Sequence, residues 1–112
     1  MALTDGLNNR IAVYCPSQDR DGQSIPNAQE LVTEVLSCLS ELFGGATATP
    51  SQGAWINDRG ALILEDITIV YAFAAELGSA VIEKVEALCE KIKTDGRQEA
   101  VSLEVNGELF FV

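Results

Sequence analysis

The apolar positions of this chain follow two different periods. In "RIAVYCP", Arg10 to Pro16, Ile11, Val13 and Cys15 alternate with Ala12 and Tyr14, and both sets are mostly apolar. That pattern predicts a strand buried on both faces, central in its sheet, with Pro16 ending it. A polar loop, "SQDRDGQSIP", turns at Gly22. The period then changes. Leu31, Val32, Val35, Leu36, Leu39, Leu42 and Phe43 recur at helical spacing, and Thr33, Glu34, Ser37, Ser40 and Glu41 occupy the opposite side. A helix over 28–43 is predicted, with Asn27 and Glu30 as its capping pair and Gly44–Gly45 as its end.

The remaining elements read in the same way. "ATATPSQGAWIN" and "ALILEDITIVYAF" flank the turn Asn57–Gly60 and predict a hairpin. Pro50 and Gly53 make its first arm an irregular edge strand. In its second arm Ile67, Ile69, Tyr71 and Phe73 share one face, and Thr68, Val70 and Ala72 the other. A second helix is expected over 80–94, capped by Ser79, with Val81, Val85, Leu88 and Ile92 buried and Gly96 as its stop. Asn106–Gly107 in "AVSLEVNGELFFV" predicts a closing hairpin that sets Val105 opposite Glu108, Leu103 opposite Phe110 and Val101 opposite Val112. The order strand, helix, strand, strand, helix, strand, plus a short C-terminal strand, is the split βαβ pattern of a ferredoxin-like sandwich. It is an α+β fold with an antiparallel sheet and two helices on one face. Residues 1–112 form one domain.

One consequence concerns the other face of that sheet. Ser102, Glu104, Leu109 and Phe111 point there, beside one face of the central strands, and the set is too apolar for a solvated surface. A homodimer that covers it is expected, and the alternative is a C-terminal hairpin folded across it. Trp55 is expected as a core plug or as an exposed anchor for a partner. Trp55, Leu109, Phe111 and Glu104 are the candidate interaction residues.

Charge adds the nature of the partner. Seventeen carboxylates against seven basic residues give −10. A field of that sign repels phosphate backbones, so direct nucleic-acid binding is not expected and a basic protein partner is. No apolar run approaches the roughly 20 residues that span a bilayer, and "MALTDGLNNR" lacks the pattern of an export signal. A cytoplasmic protein without membrane contact is expected, its three unpaired cysteines reduced.

Candidate chemistry is sparse. Histidine is absent, which removes Ser/His and Cys/His catalysis and histidine metal sites. "DRDG", Asp19 to Gly22, matches only the opening of a calcium loop. Asp19, Asp21, Asp58 and Asp66, with Arg20 or Arg59, are the carboxylates and cations available for acid/base work, but no spacing joins them. The glycines after Phe43 follow a helix instead of preceding one, the wrong polarity for a phosphate cradle. No catalytic residue, metal or cofactor is assigned. "FGGAT", "GAW", "RGALILED", "ITIVYAF" and "QEAVSLEVNGELFFV" together resemble a set of small hypothetical proteins of bacteria, phages and mobile elements. That resemblance implies a compact cytoplasmic protein travelling with mobile DNA and carries no reaction. The favoured expectation is a non-enzymatic interaction module that inhibits a host defence or nucleic-acid-handling protein. The alternative is a small dimeric ferredoxin-like enzyme or ligand-binding domain, with an internal pocket lined by Tyr14, Trp55 and Arg59.

Overall fold

The computed structural model describes Leu3 and residues 5–112. Its elements are β1 (Asn9–Pro16), α1 (Ala28–Phe43), β2 (Thr47–Ile56), β3 (Leu62–Ala74), α2 (Ser79–Asp95), β4 (Ser102–Val105) and β5 (Glu108–Phe111). They form one antiparallel sheet in the order β2-β3-β1-β4-β5. α1 packs over β1 and β3, and α2 packs over β4. The ferredoxin-like α+β architecture expected from the periodicity is the architecture found.

The core lies between the helices and one face of the sheet. Leu31, Val32, Val35 and Leu39 of α1 and Val85, Leu88, Cys89 and Ile92 of α2 meet Ile11, Val13, Val70, Ala72, Val101 and Leu103. The register then decides the opposite face. Because Val70 and Ala72 face the helices, Ile67, Ile69, Tyr71 and Phe73 face away, with Arg10, Ala12 and Tyr14 of β1. β1 is indeed the central strand, paired with β3 on one side and β4 on the other. The closing hairpin has the predicted pairings, and Asn106 (φ 52°) and Gly107 (φ 84°) both take the positive angles of a primed turn. Asn106 also clamps that turn to β1. Its Oδ1 accepts from the Arg10 N–H at 2.8 Å, and its own N–H donates to the Arg10 carbonyl at 2.9 Å.

Several local expectations are corrected. β2 is a regular ten-residue strand, paired without interruption from Thr47↔Tyr71 to Ile56↔Leu62. Pro50 is tolerated because β2 is the outermost strand, where one side of the backbone has no ladder to serve. Asn27 makes no side-chain cap; its Nδ2 donates to the carbonyl of Asp95 at 3.3 Å and ties the start of α1 to the end of α2. Gly78, not Ser79, stands at the N-cap of α2.

The two helix-ending glycines act for different reasons. Gly44 is left-handed (φ 87°), and its N–H donates to the Ser40 carbonyl at 2.8 Å. Gly96 has φ −93°, and the left-handed position passes to Arg97 (φ 53°). What excludes a side chain at Gly96 is space: a Cβ there would stand 2.9 Å from the Ile92 carbonyl oxygen and 3.3 Å from Leu31. Gly44→Ala is therefore expected to cost about 1 kcal/mol through backbone conformation alone. Gly96→Ala should cost about 1–3 kcal/mol, because backbone has to shift. Urea unfolding of both variants checks this, and a Gly96→Ala protein as stable as wild type contradicts the packing reason.

Candidate functional site

The helix-free face carries a polar cluster that draws side chains from three strands. At its centre is Ala12, which is 0% exposed although no helix covers it. Ala12 pairs with Tyr71 on β3 and with Glu104 on β4, and its methyl group leaves space for larger neighbours to close over it. The Arg10 Nε lies 3.4 Å from Glu104 Oε2, and the Arg10 guanidinium carbon sits 4.2 Å from the Tyr71 ring centroid. Tyr14 Oη donates to Glu104 Oε1 at 3.2 Å. Tyr71 in turn meets Phe73 edge-to-face, with centroids 5.8 Å apart. A carboxylate is thus held between a cation and a phenol, against a row of aromatic faces.

Electrostatics distinguish the members. Partial burial, the hydrogen bond to Glu104 and that carboxylate's charge hold the Tyr14 phenol above its ordinary value, against a smaller opposing effect of Arg10. The phenol is a proton donor at neutral pH. Two clefts adjoin the cluster. One, of about 170 Å³, runs along Tyr14, Glu65, Ile67, Gln98 and Ser102. The other, of about 490 Å³, lies between Gly44–Gly45, Thr47, Tyr71 and Phe73, and falls in the size range of small-molecule sites. Tyr14 and Tyr71 therefore connect the charged centre to space on both sides.

The remaining sequence candidates lie elsewhere. Glu104, Leu109 and Phe111 do face the open side, as their spacing predicts, with Glu104 at the polar centre and the other two toward the β5 edge. Trp55 is not a core plug. It is 58% exposed, beyond the last residue of β1, and neither it nor Arg59 joins Tyr14 in a pocket. Asp19 is buried and fully used: its Oδ1 accepts from the N–H groups of Asp21 and Gln23 at 2.9 and 3.0 Å, and Arg97 stands 3.1 Å from Oδ2. The Gln23 N–H, followed by that of Asp21 and by Arg97, holds its carboxyl below the usual range. The "DRDG" loop is thereby a latch to the α2–β4 connection. Asp58 lies exposed at the hairpin turn, whereas Asp21 stands 3.7 Å from the same Arg97 that Asp19 engages. The buried thiols of Cys15 and Cys89 are pushed up to about 12, mainly by desolvation, and are unreactive. Sequence reasoning named Glu104 but missed Arg10 and Tyr71; the signal available was Ala12, a small residue in a strand of large ones.

No protein-family model and no curated protein matches the chain. Solved structures do. A phage SAM lyase in complex with S-methyl-5'-thioadenosine superimposes with a TM-score of 0.70 at 18% identity, covering 100% of this chain and 94% of that one. A phage SAM lyase in the apo state gives 0.63 at 16% identity, covering 99% and 95%. At these identities the likeness establishes the fold. It also corrects the favoured expectation of a non-enzymatic interaction module: the full-length structural relatives are enzymes, and the alternative of a small enzyme or ligand-binding domain is the one the comparison supports.

The cluster makes a titration prediction. A phenol with a raised native value stabilises the fold fully below the unfolded value of about 10, and that contribution is lost as pH rises through the native value. In a Tyr71→Phe background, which leaves Tyr14 as the only tyrosine, Glu104→Gln should move the tyrosinate absorbance transition to lower pH. An unchanged transition contradicts the assigned hydrogen bond.

Proposed function

We propose that this chain is an enzyme acting on S-adenosylmethionine, cleaving it without water or an oxidant to release methylthioadenosine. The observation that carries the reading is the full-length match, at a TM-score of 0.70, to a phage SAM lyase holding S-methyl-5'-thioadenosine. The chemistry of the chain agrees. Release of methylthioadenosine breaks the bond between the sulfonium sulfur and the γ-carbon of the amino-acid arm, and both electrons pass to sulfur. The departing thioether is neutral, so no general acid is required. The carbon left behind is satisfied by the substrate's own carboxylate oxygen closing a five-membered ring, which conserves all atoms and needs no protein base. A chain without histidine is adequate for this step.

What such a reaction asks of the protein is a place for a cation beside folded substrate. The Glu104 carboxylate and the faces of Tyr14 and Tyr71 suit a sulfonium, by charge and by cation–π attraction. Arg10 orients Glu104 and offers a partner to a substrate carboxylate. Clefts on both sides supply room for the adenosine and amino-acid arms. The charge of −10 acquires a second meaning, since it attracts a cationic metabolite as well as a basic protein. The reading implies a cytoplasmic setting, where the metabolite and reduced thiols coexist, and a phage or mobile-element origin in keeping with the resemblance of the sequence.

The test is direct. Purified protein incubated with S-adenosylmethionine should produce methylthioadenosine, quantified by liquid chromatography and mass spectrometry. Glu104→Gln should lower the rate about 100-fold or more, the scale of removing one preorganised electrostatic partner. Absence of methylthioadenosine above the uncatalysed background contradicts the proposal. A folded Glu104→Gln protein with full activity moves the site away from this cluster.

A further inference from the structure

Two features of the Ala12 cluster suit a positive charge, the Glu104 carboxylate and the Tyr71 ring, and the chain's own Arg10 occupies both. The oxygens of Glu104 are divided between partners. Oε1 accepts from the Tyr14 hydroxyl at 3.2 Å, which leaves Oε2 for a cation, and the Arg10 Nε stands 3.4 Å from it. The same guanidinium takes the Tyr71 face, with its carbon 4.2 Å from the ring centroid. A second cation brought to either feature meets a group of like charge. The seat is already filled.

Its occupant is fixed at one end and loose at the other. The Arg10 backbone is held by Asn106, whose Oδ1 accepts from the Arg10 N–H at 2.8 Å and whose N–H donates to the Arg10 carbonyl at 2.9 Å. On its other side β1 pairs with β3 at Arg10↔Phe73. The guanidinium is a fork of several N–H donors. Among the described residues its only ion-pair partner is Glu104, met at 3.4 Å through Nε, longer than an ordinary hydrogen bond. The Arg10 side chain is 35% exposed, and a solvated pair of this kind holds weakly. Rotation about its side-chain bonds carries the charged end out of the seat while the backbone stays in the ladder.

We propose that Arg10 gates this seat: it fills the seat in the free protein and yields it to a ligand that brings both a positive charge and a carboxylate. Such a ligand replaces the guanidinium at Glu104 and gives the displaced guanidinium an anion to pair with. A bare cation does only the first, and leaves Arg10 without a partner. The gate thereby selects among the cations that a net charge of −10 draws to the protein, by a repulsion that only the right ligand relieves. The identity of that ligand rests on the proposed reading, in which a sulfonium carries an amino-acid arm. In that reading the gate also closes by itself. Attack of the substrate carboxylate oxygen on the γ-carbon, with both electrons of the broken bond passing to sulfur, turns the carboxylate into an ester and the sulfonium into a thioether. Both ligand charges vanish in one step, so Glu104 and Arg10 lose their new partners together and pair again.

Binding of two unreactive probes tests it, with the amide shifts of Ala12, Tyr71 and Glu104 as the readout and no measurement of turnover. The probes are tetramethylammonium and 4-(trimethylammonio)butanoate, which adds a carboxylate at the spacing of the substrate's arm. Wild type should bind the carboxylate-bearing probe at least about 10-fold more tightly, the scale expected if the seat is free in roughly one molecule in ten. Arg10→Gln should bind tetramethylammonium at least about 10-fold more tightly than wild type does, and should lose the preference. An arginine that only steadied Glu104 gives the opposite sign, since its removal then weakens cation binding. Equal binding of both probes by wild type, no gain in Arg10→Gln, or no saturable shift in either protein overturns the gate. Should Arg10→Gln fail to keep its helical circular dichroism, the Arg10 Nε resonance of wild type decides. It should move on saturation with the carboxylate-bearing probe, and an unmoved resonance overturns the proposal. Methylthioadenosine formation without the gain in Arg10→Gln removes the gate and leaves the reaction standing; the gain without methylthioadenosine does the reverse.

Discussion

Everything in this molecule follows from burying β1 on both faces while helices cover only one side of the sheet. On the helix side the task is met by ordinary apolar packing around Ile11, Val13 and Cys15. On the other side Ala12 is equally buried, and its cover consists of larger side chains from the neighbouring strands. A small residue in the middle strand therefore does two things. It lets an arginine, a tyrosine and a glutamate meet above the sheet, and it makes their arrangement depend on strand register instead of on any loop. Groups held by a ladder of backbone hydrogen bonds are more narrowly positioned than groups on mobile connections.

That rigidity suits the proposed reaction, in which the protein supplies no proton and no covalent nucleophile. A sulfonium already carries its leaving group in activated form, and what remains is to hold a flexible substrate in a reactive conformation beside a compensating charge. In the proposed reading the charge is that of Glu104, steadied by Arg10 and by the Tyr14 hydroxyl, beside the Tyr71 ring over which the Arg10 guanidinium lies at 4.2 Å. The latch formed by Asp19 and Arg97 lies at the Pro16 end of β1, where it ties the loop after that strand to the start of the β4 connection.

Much of the fold was legible because its signals are local. The helix at 28–43, the hairpin around Asn57–Gly60 and the Asn106–Gly107 turn each depend on residues a few positions apart, and all three appear as read. The alternation in β5 also identified which side chains face away from the helices; in β3 it only separated two sets, and the packing of Val70 and Ala72 against the helices decides between them. The cluster was less legible. Tyr14 and Glu104 are 90 residues apart in sequence, and only the strand order brings them together. Trp55 misled because a single large aromatic ordinarily belongs to a core, whereas here β2 runs past the end of β1 and carries it into the open. The absence of histidine misled further. It removes histidine-based catalysis, but the proposed cleavage of a sulfonium calls for none, so it is not an argument against that reading.

The central claim is that methylthioadenosine and its parent sulfonium bind the helix-free face at the Ala12 cluster. Backbone amide chemical shifts followed during titration with methylthioadenosine test it most directly. The account predicts saturable shifts concentrated at residues 10–14, 69–73 and 102–104, with little change along the exposed sides of α1 and α2. Shifts confined to the helices or to the 108–112 edge, or no saturable change at millimolar ligand, would contradict it.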